Sequence, residues 1–372
     1  MPKSKSKVYY TNLRTKPGRS LLDKLTSMIE KIDVKSKFKD GELVGIKIHF
    51  GEKGNLSYIR PNFVRVVVDY LKKFNVKPFL TDCNTLYRGT RSDSVSHIIT
   101  ALENGFNFVA VNAPVIIGDG LRGNNVKKIE VNLKHFKTVS IGEEIANADG
   151  LVVMSHFKCH ELTGFGGALK NLGMGCASRE GKLAQHSNIA PSIKKKNCVG
   201  CGICVKWCRH GAITMVGDKA EIIAKTCVGC AECILVCPKG AIVINWNEQV
   251  PVLQEKMVEY AYGTIKDKKE KVFFINFLTQ ISPACDCYGH NDMPITNDIG
   301  ILLSEDPVAI DQASCDFVNR QIGFENTALQ SGHKSGEDKF RGVYPDIDWT
   351  PQLEYAEKIG LGKREYEIIE VS

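Results

Sequence analysis

Two similar runs of four cysteines constrain the fold of this chain more than any other feature of its sequence. The eight residues are Cys198, Cys201, Cys204 and Cys208 in the first run, and Cys227, Cys230, Cys233 and Cys237 in the second. Both runs have the spacing C-x2-C-x2-C-x3-C, which is typical of a bacterial-type module that holds two [4Fe–4S] clusters. Zinc knuckles and disulfide frameworks fit less well, because zinc sites use separated ligand pairs and disulfide frameworks belong to secreted domains.

The duplicated spacing also predicts which cysteine binds which cluster. In two-cluster modules the fourth cysteine of each run ligates the cluster of the other run. The first predicted ligand set is Cys198, Cys201, Cys204 and Cys237. The second predicted set is Cys227, Cys230, Cys233 and Cys208. Because metal ligation supplies folding free energy, the short segment 191–246 can form a domain on this basis.

Length and composition set the class of the protein. A chain of 372 residues with 43% hydrophobic residues can form two or three domains with a substantial core. No apolar run approaches the ~18 residues of a membrane span. The first seven residues lack the apolar stretch of a secretory signal. We therefore expect a cytoplasmic protein, and the many unpaired thiols indicate a reducing, anaerobic setting.

The charge balance bears on partners. The formal net charge is +7, but two oxidised clusters with their thiolates would lower it to about +3. Lysines at 194–196 precede the first cysteine run; they are candidates for steering an acidic redox partner, and a solvated linker is the alternative. Without a nucleic-acid-binding signature, we expect a ferredoxin-like donor or an acceptor enzyme as partner, and neither nucleic acid nor membrane. The oligomeric state is not indicated.

On both sides of the cysteine runs the sequence has an α/β pattern. Apolar runs at 43–50 and 78–82 flank a helix that begins at Pro61, which predicts a β-α-β unit. Further strands are predicted at 150–155, 271–278 and 299–304, and Asp306 with Pro307 begins another helix. Residues 1–190 and 247–372 are therefore predicted to share one mostly parallel sheet with helices on both faces. Segment 191–246 is predicted to be an inserted α+β ferredoxin-like domain.

Polar residues follow the predicted strands, where ligands bind in open parallel sheets. His49 follows the first strand, and His156, Lys158 and His160 follow the strand at 150–155. His156 and His160 are four residues apart, so on a helix they would share one face and could chelate a metal. Because such groups occur at four strand ends, we predict a second site there, with these residues and Lys170 as its catalytic or substrate-binding groups.

Two further features of this region leave alternatives open. Cys285 and Cys287 would point the same way in an extended segment and are candidate extra metal ligands, and a small buried loop is the alternative. Glycines at 164–175 surround Lys170. They form either an anion-binding loop or a glycine run required for conformation.

Long motifs across the chain resemble a known family. The segments H-F-G-E-K-G-N, T-D-C-N-T-L-Y-R-G-T-R, S-H-F-K-C-H-E-L-T-G-F-G-G-A-L-K-N-L-G-M-G-C and C-D-C-Y-G-H-N-D resemble the iron–sulfur center proteins built on the domain of unknown function 362. The resemblance implies two [4Fe–4S] clusters and an α/β partner domain, but no particular reaction. That family has glycine at the position of Cys159.

Two functions follow as hypotheses. In the first, the clusters pass electrons to a substrate or metal at the strand ends, as in a ferredoxin-linked oxidoreductase; Lys158, His160 and Lys170 bind the substrate, and His49 or His156 exchanges protons. In the second, the protein has no turnover of its own and delivers electrons or metal for the maturation of another enzyme, with Cys176, Cys285 and Cys287 as transfer ligands.

Overall fold

The computed structural model describes residues 5–187, 190–246 and 248–372, so the predicted boundary at residue 247 lies outside the described residues. The strands are β1 (Ser6–Asn12), β2 (Leu43–Lys47), β3 (Lys77–Thr81), β4 (Val126–Glu130), β5 (Thr138–Gly142), β6 (Gly150–His156), β7 (Lys158–His160), β8 (Gly164–Gly166), β9 (Ser192–Ile193), β10 (Ile213–Val216), β11 (Lys219–Ile222), β12 (Ile242–Val243), β13 (Val272–Leu278), β14 (Gly300–Ser304) and β15 (Tyr366–Glu370).

Helices connect and cover these strands. They are α1 (Leu21–Ile29), α2 (Val34–Lys37), α3 (Pro61–Lys72), α4 (Ser94–Glu103), α5 (Phe108–Val111), α6 (Glu143–Asn147), α7 (Ala168–Gly173), α8 (Arg179–His186), α9 (Ile203–Trp207), α10 (Glu232–Val236), α11 (Val250–Ile265), α12 (Pro307–Asn319), α13 (Lys339–Val343) and α14 (Thr350–Lys358). Within the described ranges, no helix is both long and apolar enough to cross a membrane.

The central sheet has the strand order β15-β1-β14-β13-β6-β2-β3. Strands β13, β6, β2 and β3 are parallel neighbours, and β1 pairs in parallel with β15. Strand β14 runs antiparallel to both β1 and β13. The prediction of a mostly parallel α/β sheet is therefore confirmed, although the predicted strand at 299–304 runs in the opposite direction to its neighbours.

The apolar strands at the centre of this sheet are covered on both faces. Every residue of β6 and of β13 is buried, as expected for parallel strands that have helices on each side. One large hydrophobic cluster includes Leu169 of α7 and Val258 of α11, and a second includes Val64 of α3 and Met28 of α1. The sheet lies between these two cores, so the carboxyl ends of its strands are held in fixed positions.

The predicted helix starts agree with the structure. Pro61 occupies the first turn of α3, where its missing N–H costs nothing. The Asp306 carboxylate accepts hydrogen bonds from the amides of Val308 (2.9 Å) and Ala309 (3.0 Å) and caps α12. Both helices therefore begin where the sequence predicts, α12 directly after β14 and α3 in the segment that follows β2.

The cysteine-rich segment has two similar halves. Helix α9 contains Cys204, the third cysteine of the first run, and α10 contains Cys233, the third cysteine of the second run. Strands β10 and β11 form an antiparallel pair between the two halves. Gly202 (φ 67°) and Ala231 (φ 61°) occupy equivalent left-handed positions before these helices. A small hydrophobic cluster of this segment also includes Leu86 and Leu183 from the larger α/β part.

Candidate functional site

A cavity of about 700 Å³ lies beyond the carboxyl ends of the parallel strands β13, β6, β2 and β3. All of the residues predicted for the second site line it: His49, His156, Lys158, His160, Lys170, Cys285 and Cys287. Because these strands are adjacent and parallel, the segments that follow them meet at one edge of the sheet. The structure therefore brings the predicted residues together.

Two cysteines lie side by side in the cavity wall. The sulfur atoms of Cys285 and Cys287 are 3.0 Å apart. The Lys170 ammonium is 3.6 Å from the Cys285 sulfur, and His49 Nε2 is 3.5 Å from the Cys287 sulfur. The hydrogen bond from the Cys285 thiol holds the pKa of Cys287 well below its usual range, although burial opposes this shift. The same hydrogen bond, with burial, raises the pKa of Cys285.

Hydrogen bonds assign the proton positions of two histidines in the cavity. The Gly51 amide donates to His49 Nδ1 at 3.0 Å, so the proton of the neutral ring is on Nε2 and faces Cys287. The Leu162 amide donates to His160 Nδ1 at 3.1 Å in the same way. Burial lowers the pKa of both rings, with Arg91 adding to the effect at His49 and Lys170 at His160.

His156 and Lys158 are held by one carboxylate rather than by a helix. His156 Nδ1 lies 3.0 Å from the Asp286 carboxylate, and its Nε2 lies 2.9 Å from the Thr279 carbonyl oxygen. Lys158 pairs with Asp286 at 3.0 Å. Because both nitrogens of His156 face acceptors, neither is free to bind a metal or to take a proton from a substrate.

The predicted helix that would place His156 and His160 on one face is wrong. His156 ends β6, and His160 ends β7, which forms an antiparallel hairpin with β8. Cys285 and Cys287 lie in a turn rather than in an extended strand, yet both sulfurs face the cavity. Among the residues that the structure describes, no set of three or more His, Cys, Asp or Glu side chains is arranged to hold a metal ion. Metal ligation by the two cysteines stays a prediction.

A buried network of charges supports the floor of the cavity. Lys47 pairs with Asp82 at 2.9 Å, and Arg91 lies 3.5 Å from Asp82 and 3.1 Å from Glu52. Burial would raise the pKa of Asp82, but Lys47 and the other neighbouring cations hold it well below its usual range. Arg91 also donates to the Tyr87 hydroxyl at 2.8 Å. Sequence reasoning missed Lys47, although a lysine inside an apolar strand was a signal for it.

The glycine-rich segment uses its helix amides internally. The Asp311 carboxylate accepts hydrogen bonds from the amides of Ala168 (2.8 Å) and Leu169 (2.9 Å) at the start of α7. These amides are therefore not available to an external anion. A side chain at Gly173 would collide with the Met257 carbonyl oxygen of α11. These contacts favour the conformational interpretation of the glycines, and Lys170 is the charged side chain that this segment contributes to the cavity lining.

The eight clustered cysteines line two separate small cavities. The first is lined by Cys198, Cys201, Cys204 and Cys237. The second is lined by Cys208, Cys227, Cys230 and Cys233. Backbone amides donate to the sulfurs of Cys208 and Cys237, each at 3.2 Å. Each cavity is therefore lined by four cysteines, which is the number of ligands in a [4Fe–4S] site, and amide donors to sulfur are common around such clusters. Cluster binding itself stays a prediction.

Arg88 lies between the strand-end cavity and the first of the two cysteine-lined cavities, and contacts both. Its side chain lines the strand-end cavity and donates to the Cys237 carbonyl oxygen at 2.7 Å. Two other cysteines, Cys159 and Cys176, are completely buried in the larger hydrophobic core. Because Cys176 is buried there, the structure does not favour its predicted role as a transfer ligand.

Comparison with known proteins identifies the family. The family model described as "Domain of unknown function (DUF362)" matches residues 44–316, which is most of the chain. The chain belongs to this family. No curated protein matches this DUF362 chain.

Two solved structures are similar to this DUF362 chain in part. One is the lactate racemase apoprotein from Thermoanaerobacterium thermosaccharolyticum, with 15% identity, 74% of this chain and 51% of that chain covered, and a TM-score of 0.39. The other is a crystal structure of a protein from Thermotoga maritima, with 10% identity, 91% and 58% covered, and a TM-score of 0.36. The DUF362 chain thus spans little more than half the length of either.

Proposed function

We propose that this protein binds two [4Fe–4S] clusters and carries electrons from a redox partner protein to a substrate or metal in the strand-end cavity. The observation that supports it most directly is the grouping of the eight cysteines. Each four-cysteine cavity takes its fourth member, Cys237 or Cys208, from the other run. A bound cluster of this type takes up and releases single electrons.

The cavity residues divide the remaining tasks among them. Lys170 and Lys158 provide positive charge for an anionic substrate, and His160 offers an Nε2–H donor. His49 lines the cavity, holds a proton on Nε2 and exchanges it with the reacting group. His156 orients Asp286, and through it Lys158. In this arrangement His156 positions other groups and does not itself transfer protons.

Arg88 provides the structural connection that electron transfer between the two sites requires. Its guanidinium contacts the backbone of the cluster ligand Cys237 while its side chain lines the wall of the substrate cavity. Leu86 and Leu183 pack against the cysteine-rich segment next to it. The ligand-bearing segment and the cavity are thus in direct contact, so electrons need not cross a layer of solvent.

The second candidate function is delivery of electrons or metal to another enzyme during its maturation. The observation that favours it is the pair of adjacent cysteine sulfurs in an accessible cavity, since soft ligands of this kind bind transition metals. Metal analysis of anaerobically purified protein separates the two functions. Iron without any further metal favours electron transfer, whereas an additional transition metal that Cys285→Ser removes favours delivery.

Electron uptake tests the leading proposal. Protein reconstituted with iron and sulfide in the absence of oxygen is mixed with chemically reduced ferredoxin, and its EPR spectrum is recorded. We expect the signals of reduced clusters to appear as ferredoxin is oxidised. Cys201→Ser should diminish these signals, while Cys315→Ser, which changes a buried core cysteine, should not. Failure of the reconstituted protein to accept electrons would contradict the proposal.

A further inference from the structure

Cys285 and Cys287 have a geometry suited to forming a bond between their sulfurs. The two sulfurs are 3.0 Å apart, whereas two thiolates on one tetrahedral zinc ion would lie about 3.8 Å apart. A disulfide requires about 2.0 Å. Because both residues belong to one turn, small side-chain rotations close this gap without displacing a strand or helix.

The groups around the pair are those that thiol–disulfide exchange uses. The His49 Nε2–H faces the Cys287 sulfur at 3.5 Å, and the Lys170 ammonium lies 3.6 Å from the Cys285 sulfur. Both donors stabilise a thiolate, which is the nucleophile in exchange. Cys285 is 1% exposed, and Cys287 is more accessible. Cys287 is therefore placed to attack a substrate and Cys285 to resolve the product.

We propose that Cys285 and Cys287 form a redox-active dithiol that reduces a low-molecular-weight disulfide in the strand-end cavity. This inference deepens the proposed function and rests on it only for the physiological source of electrons. The volume of about 700 Å³ suits a small ligand. Leu253 and Trp246 contribute apolar surface to the cavity that the cationic Lys170 also lines.

The exchange balances as a two-electron reduction. The Cys287 thiolate attacks one sulfur of R–S–S–R′; the substrate S–S bond breaks, a mixed disulfide of Cys287 with R–S forms, and R′–S⁻ leaves and takes up a proton. Cys285 loses its proton and attacks the Cys287 sulfur, which forms the Cys285–Cys287 disulfide and releases R–S⁻, which is then protonated. An iron–sulfur electron donor restores the dithiol with two electrons, taken one at a time, and two protons.

Differential alkylation tests the pair without reliance on turnover. Full-length protein purified without oxygen is reduced with dithiothreitol, separated from it and treated with excess hydroxyethyl disulfide. Remaining thiols are alkylated under denaturing conditions, and peptides are weighed by mass spectrometry. We expect Cys285 and Cys287 to escape alkylation together, in a peptide two hydrogens lighter than its reduced, unalkylated form. Treatment with dithiothreitol before alkylation should make both cysteines reactive again. Cys83, which lines the same cavity without an adjacent cavity-lining cysteine, should stay alkylated.

Variants sharpen the result. Cys285→Ser should stop the reaction at the mixed disulfide on Cys287, whereas Cys159→Ser, which removes a cysteine buried outside the cavity, should change nothing at the pair. Full alkylation of both cysteines after the oxidant would overturn the inference. The inference would also be overturned if both thiols were protected from alkylation and only a chelator, not dithiothreitol, removed that protection. That result would indicate metal ligation instead. The test supplies its own reductant and oxidant, so its result does not depend on the clusters. Iron and sulfide assays on the same sample show separately whether the clusters of the proposed function are present.

Discussion

Replacing Asp311 by alanine should destabilise the fold and loosen the helix that presents Lys170 to the cavity. The buried carboxylate accepts hydrogen bonds from the amides of Ala168 and Leu169 and from the Asn276 side chain at 2.8 Å. Three buried donors that lose their acceptor cost roughly 1–3 kcal/mol each. Burial raises the pKa of Asp311 to about 6, so relief of the buried charge offsets roughly 3 kcal/mol at pH 7. With roughly 2 kcal/mol for each donor, the middle of that range, a net loss of roughly 3 kcal/mol remains.

Urea unfolding followed by circular dichroism measures this loss, with Asp33→Ala as the control. Asp33 caps α2 at an exposed position, so its removal should cost about 1 kcal/mol or less. The raised pKa of Asp311 means that the folded state binds its proton more tightly than the unfolded chain. The stability gap between wild type and Asp311→Ala should therefore widen as pH falls from about 6 to 4. Two variants within 1 kcal/mol of each other would refute the reasoning.

Three further substitutions test other parts of the structure. Cys208→Ser should abolish the cluster of the second run and spare that of the first, as EPR would report; loss of the first instead contradicts the crossed assignment. His97→Phe should stabilise the protein more at pH 5 than at pH 7.5. Burial lowers the pKa of His97, so below about pH 6.5 the unfolded chain binds a proton there that the folded protein does not, and this favours unfolding of the wild type. Equal thermal shifts at both pH values would argue against this. Gly173→Ala places a methyl group against α11, whereas Gly202→Ala adds one in open space at a left-handed position. The first substitution should therefore lower the free energy of unfolding by more than the ~1 kcal/mol expected for the second, as chemical denaturation of the two variants would measure.

The sequence predicted the centre of the sheet better than its edges. Strands β6 and β13 are continuous apolar runs, which indicate full burial between two layers of helices. The run that forms β14 is equally apolar, but apolarity does not encode direction, so its antiparallel pairing was not predictable. Strands β1 and β15 were missed because both are only partly buried and mix polar with apolar residues.

The same limit applies to the candidate site. Parallel strand ends meet at one edge of a sheet, so the convergence of the site residues could be predicted without knowing their contacts. The spacing of His156 and His160 fits a helix, but tertiary pairing with β8 makes β7 a strand instead. The roles of Arg88 and Asp311 depend on contacts across 149 and 143 positions of sequence, which no local pattern indicates.

Counting the clusters tests the central claim most directly. Protein purified without oxygen should contain about eight irons and eight acid-labile sulfides per chain, because each [4Fe–4S] cluster holds four of each. After reduction, EPR should show two interacting paramagnetic centres. Zinc in place of iron, or a single centre with about four irons, would contradict the assignment of the eight cysteines and with it the proposed electron transfer.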